Sequence, residues 1–271
     1  MEIIKNTHIQ KPPAKSRGFF VYFCIMEKQT YIYGIRAVIE AIEAKETLDK
    51  IFIQKGLQGD LIKALENLIR KQGLNTSYVP VEKLDRLAKQ HNNHQGVVAS
   101  ISPIEFHELD PFVESVLETK EAPLFLLLDQ LSDVRNFGAI IRTASCTGVD
   151  AIIIQKKGAA PVTADTIKTS AGAAFQVPII KVDHLKDAVF HLQACGIQVV
   201  AATEKAKNDL YEVSFTGPIA IVMGSEDIGI TPSILKVSNA QAKLPMQGPI
   251  SSLNVSVACG VFLYEAVRQR K

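Results

Sequence analysis

The chain has 271 residues, 47% of them hydrophobic, with a formal net charge of +2 from 30 basic and 28 acidic side chains. That length supports one large domain or two smaller ones with ample core, and the near balance of charge excludes a protein that announces nucleic-acid binding by bulk basicity, so any such surface must be local. Four cysteines, at 24, 146, 195 and 259, form no CxxC pair. Their spacing argues against a zinc site or a disulfide scaffold and fits reduced, packed thiols in a cytoplasmic protein.

Residues 1–28 stand apart. Lys5, Lys11, Lys15 and Arg17 surround Pro12-Pro13, and the apolar run Phe19 to Ile25 is too short for a membrane span. Met26-Glu-Lys-Gln follows that run where a signal peptide would need small residues. From 29 to 104 the pattern predicts a small α/β domain. Its elements are a helix through Ile35, Val38, Ile39 and Ile42, a strand at Ile51–Ile53, and a helix through Leu61, Leu65, Leu68 and Ile69. A strand at Thr76–Val79, a helix near Val81 to Lys89 and a strand at Val97–Ile101 complete it. Pro103, the stretch from Glu105 to Asp110, and Pro111 then interrupt the pattern, and a helical linker through Phe112 to Thr119 closes the segment 105–121.

Residues 122–271 alternate more regularly. Leu124–Leu128, Ala151–Ile154, Ile197–Ala201 and Ile219–Val222 are short apolar runs of the kind found in parallel strands buried on both faces. Helical stretches at Gly138–Thr147, Leu185–Ala194 and Thr231–Lys236 lie between several of them, which predicts a parallel sheet with helices on its faces.

Three segments carry chemistry. In the first, Asp129 ends a strand, Ser132-Asp133 can cap or turn the chain, and Asn136-Phe-Gly leads into a helix bearing Arg142. With Asn136 in the loop and Arg142 on the second turn, both can face the C-terminal edge of the sheet, where open α/β proteins gather ligands. The plainer reading has Asn136 capping the helix and Arg142 solvated. In the second, Gly224-Ser-Glu-Asp-Ile-Gly-Ile-Thr231 has the outline of a P-loop. Ile230 holds the lysine position, however, and Glu226 and Asp227 would repel phosphate, so a nucleotide triphosphatase is rejected. In the third, Leu244-Pro-Met-Gln-Gly-Pro-Ile-Ser-Ser-Leu-Asn254 runs from a short apolar strand through a Ser/Asn-rich loop, with Ser252 as a candidate cap, into a helix carrying Leu253, Val257, Val261 and Tyr264 at near-helical spacing.

Together and in this order, the three segments resemble the motifs of the SpoU-type ribose 2′-O-methyltransferases. The resemblance extends from about Tyr31 to Arg270 and includes the small domain, whose Tyr33-Gly-Ile-Arg-Ala-Val start and His94-Gln-Gly-Val-Val end look like the ribosomal-protein-like RNA-binding domain of members acting on ribosomal RNA. It implies a trefoil-knotted C-terminal domain, a topology that pattern reasoning alone would reject. It also implies S-adenosylmethionine as cofactor, RNA as substrate, and a homodimer formed in part by the last helix. The implied substrate is a guanosine of large-subunit ribosomal RNA, with transfer RNA as the alternative. Implied catalytic residues are Asn136, Arg142, Glu226, Ser252 and Asn254; Thr203, Gly224, Leu244, Met246 and Leu253 are implied to hold the cofactor. Arg142 is open to two roles, general base or oriented cation that binds phosphate and lowers the hydroxyl's pKa, since guanidinium stays protonated in proteins.

The family segment usually reads Gly-Ser-Glu-Gly, so Asp227 departs from it where glycine would tolerate positive φ. Members tend to begin just before Tyr31, which makes Met26 the expected start and residues 1–28 a disordered or artefactual extension. His91 and His94 share an H-x-x-H spacing without a third ligand, so a polar loop is the favoured reading and no metal is expected. Arg36, Lys156-Lys157, Lys168 and the Arg268–Lys271 tail are candidates for phosphate contact, although such clusters are more often solvated surface. Two other readings are ranked lower. A Rossmann-type enzyme lacks its G-x-G-x-x-G, and a non-catalytic RNA-binding protein would be favoured by lost site residues, all of which are present.

Overall fold

A computed structural model describes residues 31–88, 93–249 and 252–271. The N-terminal extension with Met26, the apolar run before it, and His91 lie outside the described residues.

The described residues form two sheets. The smaller has the order β1-β4-β2-β3, from β1 (Tyr31–Tyr33), β2 (Leu48–Gln54), β3 (Thr76–Val79) and β4 (Val97–Ile101). Helices α1 (Ile35–Glu43) and α2 (Asp60–Gln72) lay Val38, Ile42, Ile62, Leu65 and Ile69 on Ile51, Ile53, Val97 and Ala99, while α3 (Val81–Leu87) packs Leu84 on the other face beside Val79 and Val98. The alternation of β2, buried at Asp49, Ile51 and Ile53, is the period of two expected of a strand with one dry face.

The larger sheet is parallel throughout, in the order β7-β6-β5-β10-β8-β11-β9. Its strands are β5 (Leu124–Asp129), β6 (Ala151–Gln155), β7 (Ile179–Val182), β8 (Gln198–Ala202), β9 (Asn208–Asp209), β10 (Ile219–Gly224) and β11 (Ala240–Lys243). Every residue of β5 is buried, as befits a central strand covered on both sides. Leu124, Leu126 and Leu128 face one layer, made of α5 (Val134–Thr147), α6 (Ala164–Thr169) and α9 (Val255–Gln269). Phe125 and Leu127 face the other, made of α4 (Leu109–Thr119), α7 (Leu185–Ala194) and α8 (Pro232–Leu235). The result is a three-layer α/β/α sandwich.

Several local expectations are corrected. The helix after β5 begins at Val134, four residues before Gly138, because Asp133 is its cap: the carboxylate accepts from the Asn136 N–H at 2.7 Å. Asn136 therefore sits inside the first turn and caps nothing. The strand expected at Leu244 is β11, which ends one residue earlier at Lys243. Ser252 does not cap the last helix. Asn254 does, its side-chain oxygen accepting from the N–H groups of Ser256 and Val257. The linker helix starts at Leu109 and tolerates Pro111 in its first turn, where the missing N–H has no intrahelical partner to lose. It packs Val113 into the core of the large sheet, and His107 just before it donates its N–H to Ile179 O at 2.9 Å.

The small sheet is tied to the large one by polar contacts. Lys181 Nζ reaches Asp49, with both side chains largely buried, and lies 3.7 Å from the centroid of the Phe106 ring. Asn75 donates to Lys156 O at 2.7 Å. His94 contacts Asp85 at 3.0 Å through Nε2 and accepts from Gly96 N–H at 2.9 Å through Nδ1, closing the loop before β4. Cys146, Cys195 and Cys259 are free thiols, and full burial pushes Cys259 up to about 12. Among the described residues no helix is long and apolar enough to cross a membrane.

Candidate active site

Beyond the carboxyl ends of β8, β10 and β11 lies a cleft of about 690 Å³. Thr203 follows β8 and donates its N–H to Ala242 O at 2.9 Å, tying the ends of two of these strands together. Gly224 ends β10, and only glycine fits: a Cβ there would stand 2.2 Å from Gly229 C and 2.3 Å from Ile230 N. The strand end and the returning backbone of the 225–230 loop therefore touch. Gly229 N–H closes that loop onto Ser225 O at 2.9 Å. The positive φ in it falls at Gly229, 72°, and not at Asp227, so the departure at 227 asks nothing unusual of the backbone.

All five residues implied for the cofactor, Thr203, Gly224, Leu244, Met246 and Leu253, line this cleft, together with Glu226, Ser252 and Asn254. The apolar lining also includes Met223, Ala258 and Phe262. Asp227 adds a further carboxylate, and Glu204, Lys205 and Lys243 add charge that sequence reasoning missed, because charged residues after a strand look like ordinary loop surface.

Asn136, Glu226 and Asn254 meet in one hydrogen-bonded cluster. Asn136 Nδ2 donates to Glu226 Oε1 at 3.0 Å, and Asn254 Nδ2 donates both to Asn136 Oδ1 at 3.0 Å and to Glu226 Oε1. Val255 N–H adds a longer bond of 3.3 Å to the same carboxylate oxygen. Glu226 thus sits at the N-terminus of α9, where the helix dipole and free N–H groups favour a negative charge. The cluster joins α5, the β10 loop and α9, and it fixes the two amides in direction.

Asp129, at the end of β5, is the further polar group here. It is 1% exposed; Oδ2 accepts from Thr231 N–H at 2.7 Å, while Oδ1 has no hydrogen-bond partner among the described residues. Its signal in the sequence was an acid closing a run of five apolar residues, which marked a strand end without telling its burial.

Arg142 is not brought to this cluster. Six positions beyond Asn136 on a helix is about 9 Å along the axis and about 240° around it, so the two side chains cannot share the strand edge as expected. Arg142 is exposed and has no hydrogen bond or ion pair among the described residues. It lies on α5, which packs along α9: a Cβ at Gly260 would stand 3.7 Å from Thr143 Cγ2. On α9, Val257 is 53% and Tyr264 55% exposed, an apolar stripe left open, with Leu253 just ahead of the helix 42% exposed.

A parallel α/β sheet whose strand ends open into a mixed apolar and charged cleft, next to a glycine-ended strand, defines a protein that binds a small molecule at the carboxyl edge of its sheet. Comparison with known proteins narrows the class. The SpoU rRNA Methylase family model matches residues 123–264, and the model for RNA 2′-O ribose methyltransferase substrate binding matches residues 31–107. The chain belongs to the SpoU rRNA methylase family.

Among its relatives, the 23S rRNA (guanosine-2′-O-)-methyltransferase RlmB of Vibrio vulnificus is 38% identical over 243 residues, 89% of this chain and 97% of the relative. A Bacillus subtilis protein named as a putative TrmH family tRNA/rRNA methyltransferase, YacO, is 35% identical over 90% of this chain and 97% of its own length. Among solved structures, the SpoU methyltransferase AviRb of Streptomyces viridochromogenes aligns over 89% of each chain with a TM-score of 0.55 and 26% identity.

Proposed function

We propose that this chain transfers a methyl group from S-adenosylmethionine to the 2′-hydroxyl of a guanosine ribose in large-subunit ribosomal RNA. The observation that carries the reading is that the second and third family segments line one cleft and Asn136 of the first is hydrogen-bonded to both, with a separate substrate-binding domain on the same chain. The cleft suits the cofactor chemically. Met223, Leu244, Leu253 and Phe262 offer an apolar bed for an adenine, and the carboxylates of Glu204, Glu226 and Asp227 complement a sulfonium and an ammonium group.

The cofactor supplies an activated methyl group. What remains for the protein is to place a ribose oxygen in line with that methyl and to ease the loss of its proton. Asn136 and Asn254, oriented by Glu226, are fixed polar groups at the cleft's edge that hold the ribose or its phosphate. Arg142 acts as a cation toward the phosphate and lowers the hydroxyl's pKa. Exposed and without a carboxylate partner among the described residues, its guanidinium is available for a bidentate phosphate contact. Ser252 lies on the cleft wall within reach of the same substrate.

Because Arg142 stands apart from the cluster of its own chain, the active unit in this reading is a homodimer. The open stripe of α9 forms part of the interface, and the partner's cofactor cleft receives Arg142. The C-terminal domain is a trefoil knot in which the segment ahead of α9 passes through an earlier loop. The protein acts in the cytoplasm, where ribosomal RNA is made and folded. Transfer RNA is the second reading, favoured by the dual naming of the Bacillus subtilis relative.

The test is methyl transfer from labelled S-adenosylmethionine to total ribosomal and transfer RNA, with the modified ribose mapped by its resistance to alkaline cleavage. Labelling of one guanosine in the large-subunit RNA is expected. Labelling confined to transfer RNA would replace the substrate, and no labelling with cofactor bound would remove the activity.

A further inference from the structure

The small sheet covers its two faces unequally. Helices α1 and α2 bury one; the other carries Tyr31, Tyr33 and Phe52 and receives only the short α3. Strand register sets Tyr31, Ser100 and Lys50 in one row across β1, β4 and β2, and Tyr33, Val98 and Phe52 in the next. Aromatic and cationic side chains therefore share one pleated face, alternating with the buried aliphatic residues of the opposite face.

Against this face stands the segment 155–163 of the large domain, and between them is a cleft of about 230 Å³. It shares no residue with the 690 Å³ cleft described above. Four lysines reach it, and two are neutralised: Lys181 by Asp49, and Lys156 by Asp183 at 3.0 Å. Lys50 and Lys83 have no carboxylate partner among the described residues, and each Nζ lies 5.5 Å from the centroid of the Phe52 ring. An aromatic ring flanked by two uncompensated ammonium groups offers a π-face for a base and a seat for an anion side by side. The cleft falls below the roughly 300–1,000 Å³ typical of pockets that enclose a whole drug-sized ligand. That volume suits one unpaired base better than a base pair.

We propose that this interdomain cleft binds a single unpaired nucleotide of the RNA substrate, its base against Phe52 and its phosphate between Lys50 and Lys83. The proposal rests on the reading of the chain as an RNA-modifying enzyme and adds a second RNA site distinct from the methyl-transfer cleft. The lysine stems are flexible, so a phosphate draws both ammonium groups off the ring and frees its face. Recognition of RNA through unstacked bases laid on aromatic side chains is the general solution where a duplex groove cannot be read. Because both domains wall the cleft, a nucleotide held there also fixes how RNA runs from the small domain toward the cofactor cleft.

The test uses the full chain and a short single-stranded oligoadenylate carrying one 2-aminopurine, whose fluorescence is quenched on stacking. Phe52→Leu, which keeps apolar volume but removes the ring, should raise Kd about ten-fold and abolish the quenching. Lys50→Gln combined with Lys83→Gln should weaken binding and reduce the slope of log K against log salt by about 0.7, the value for one single-strand phosphate contact. Lys71→Gln on α2, remote from the cleft, should change neither. Every variant should keep its melting temperature and its calorimetric affinity for S-adenosylmethionine. Unchanged quenching and Kd in both cleft variants would overturn the proposal, as would an equal loss against a blunt RNA duplex. Failure of the methyltransferase reading shows separately, as a wild-type chain that binds the oligonucleotide but neither binds S-adenosylmethionine nor methylates RNA.

Discussion

Gly224→Ala is the substitution whose effect the structure defines most sharply. The added Cβ would stand 2.2 Å from Gly229 C, 2.3 Å from Ile230 N and 2.5 Å from Gly229 O, all of them backbone atoms. Ordinary contact needs more than 3.4 Å, so the 225–230 loop must retreat by about 1 Å or more. No side-chain rotation relieves it, and overpacking of this kind costs about 1–3 kcal/mol. For a domain of this size each kcal/mol lowers Tm by about 2–4 °C, so a fall of roughly 2–12 °C is expected. The loop carries Glu226, whose carboxylate is bonded by Asn136, Asn254 and Val255 N–H, so the retreat also pulls that cluster apart. Calorimetry should show S-adenosylmethionine affinity reduced about ten-fold or more, equivalent to about 1.4 kcal/mol. Gly217→Ala is the control: nothing lies within 4 Å of its Cβ and its φ is not positive. Equal Tm and equal cofactor affinity in the two variants would refute the steric argument.

Arg142→Ala should leave stability within the roughly ±0.5 kcal/mol expected of a surface change and cofactor affinity intact, while turnover falls about 10²–10³-fold; Arg142→Lys should fail as well, since a point charge does not reproduce the planar fork. Preserved turnover in single-round methylation assays would take Arg142 out of the mechanism. Glu265 is buried, and its hydrogen bond from Arg268, helped by Gln269, holds its carboxyl below the ordinary range against the effect of burial. A depressed folded-state pKa means stability that is present above the unfolded value and lost as pH falls through the folded one. Glu265→Gln should therefore flatten the decline of Tm on the acid side of the carboxylate range, and an unchanged acid profile would contradict this. Asp49→Asn removes the partner of Lys181 between the two sheets. With both side chains mostly but not wholly buried, a loss of about 2 kcal/mol is expected, below the 3–5 kcal/mol of a fully buried pair, and denaturant unfolding by two probes, one per domain, should show it.

Strands were legible where burial was complete on both faces. The runs at 124–128, 151–154 and 219–222 are nearly uniform in apolar character because helices cover both sides of β5, β6 and β10. The bounds of β11 were not legible: Ala240-Gln-Ala-Lys243 buries only Ala242, and near the sheet margin it needs no larger apolar side chain. The helix Ala164–Thr169 was missed too, since its threonines read as turn residues, whereas Thr163 and Thr166 form a reciprocal cap. The site followed the same divide. Glu226 and Asn254 were readable through family resemblance, while the capping role fell to Asn254 because only a side chain at the first non-helical position reaches the next two N–H groups. The separation of Arg142 from Asn136 was computable from helical periodicity once the helix start was known, and that start hung on Asp133.

The Asn136–Glu226–Asn254 cluster joins residues 90 and 118 positions apart along the chain. Contacts so distant are formed only after long loops have closed, which makes their assembly slow compared with the local helices. The central pairing of β5 with β10 carries the same burden, so a chain that has laid down β5, β6 and β7 alone still offers an open edge of β5 to other chains. Maturation of this enzyme is therefore a race between closure by β10 and intermolecular strand addition. A small molecule that binds only the closed form tilts the equilibrium by about 2.7 kcal/mol at a hundred-fold excess over its Kd. Abundance of the cofactor during synthesis would then influence how much active enzyme accumulates, quite apart from its consumption in the reaction.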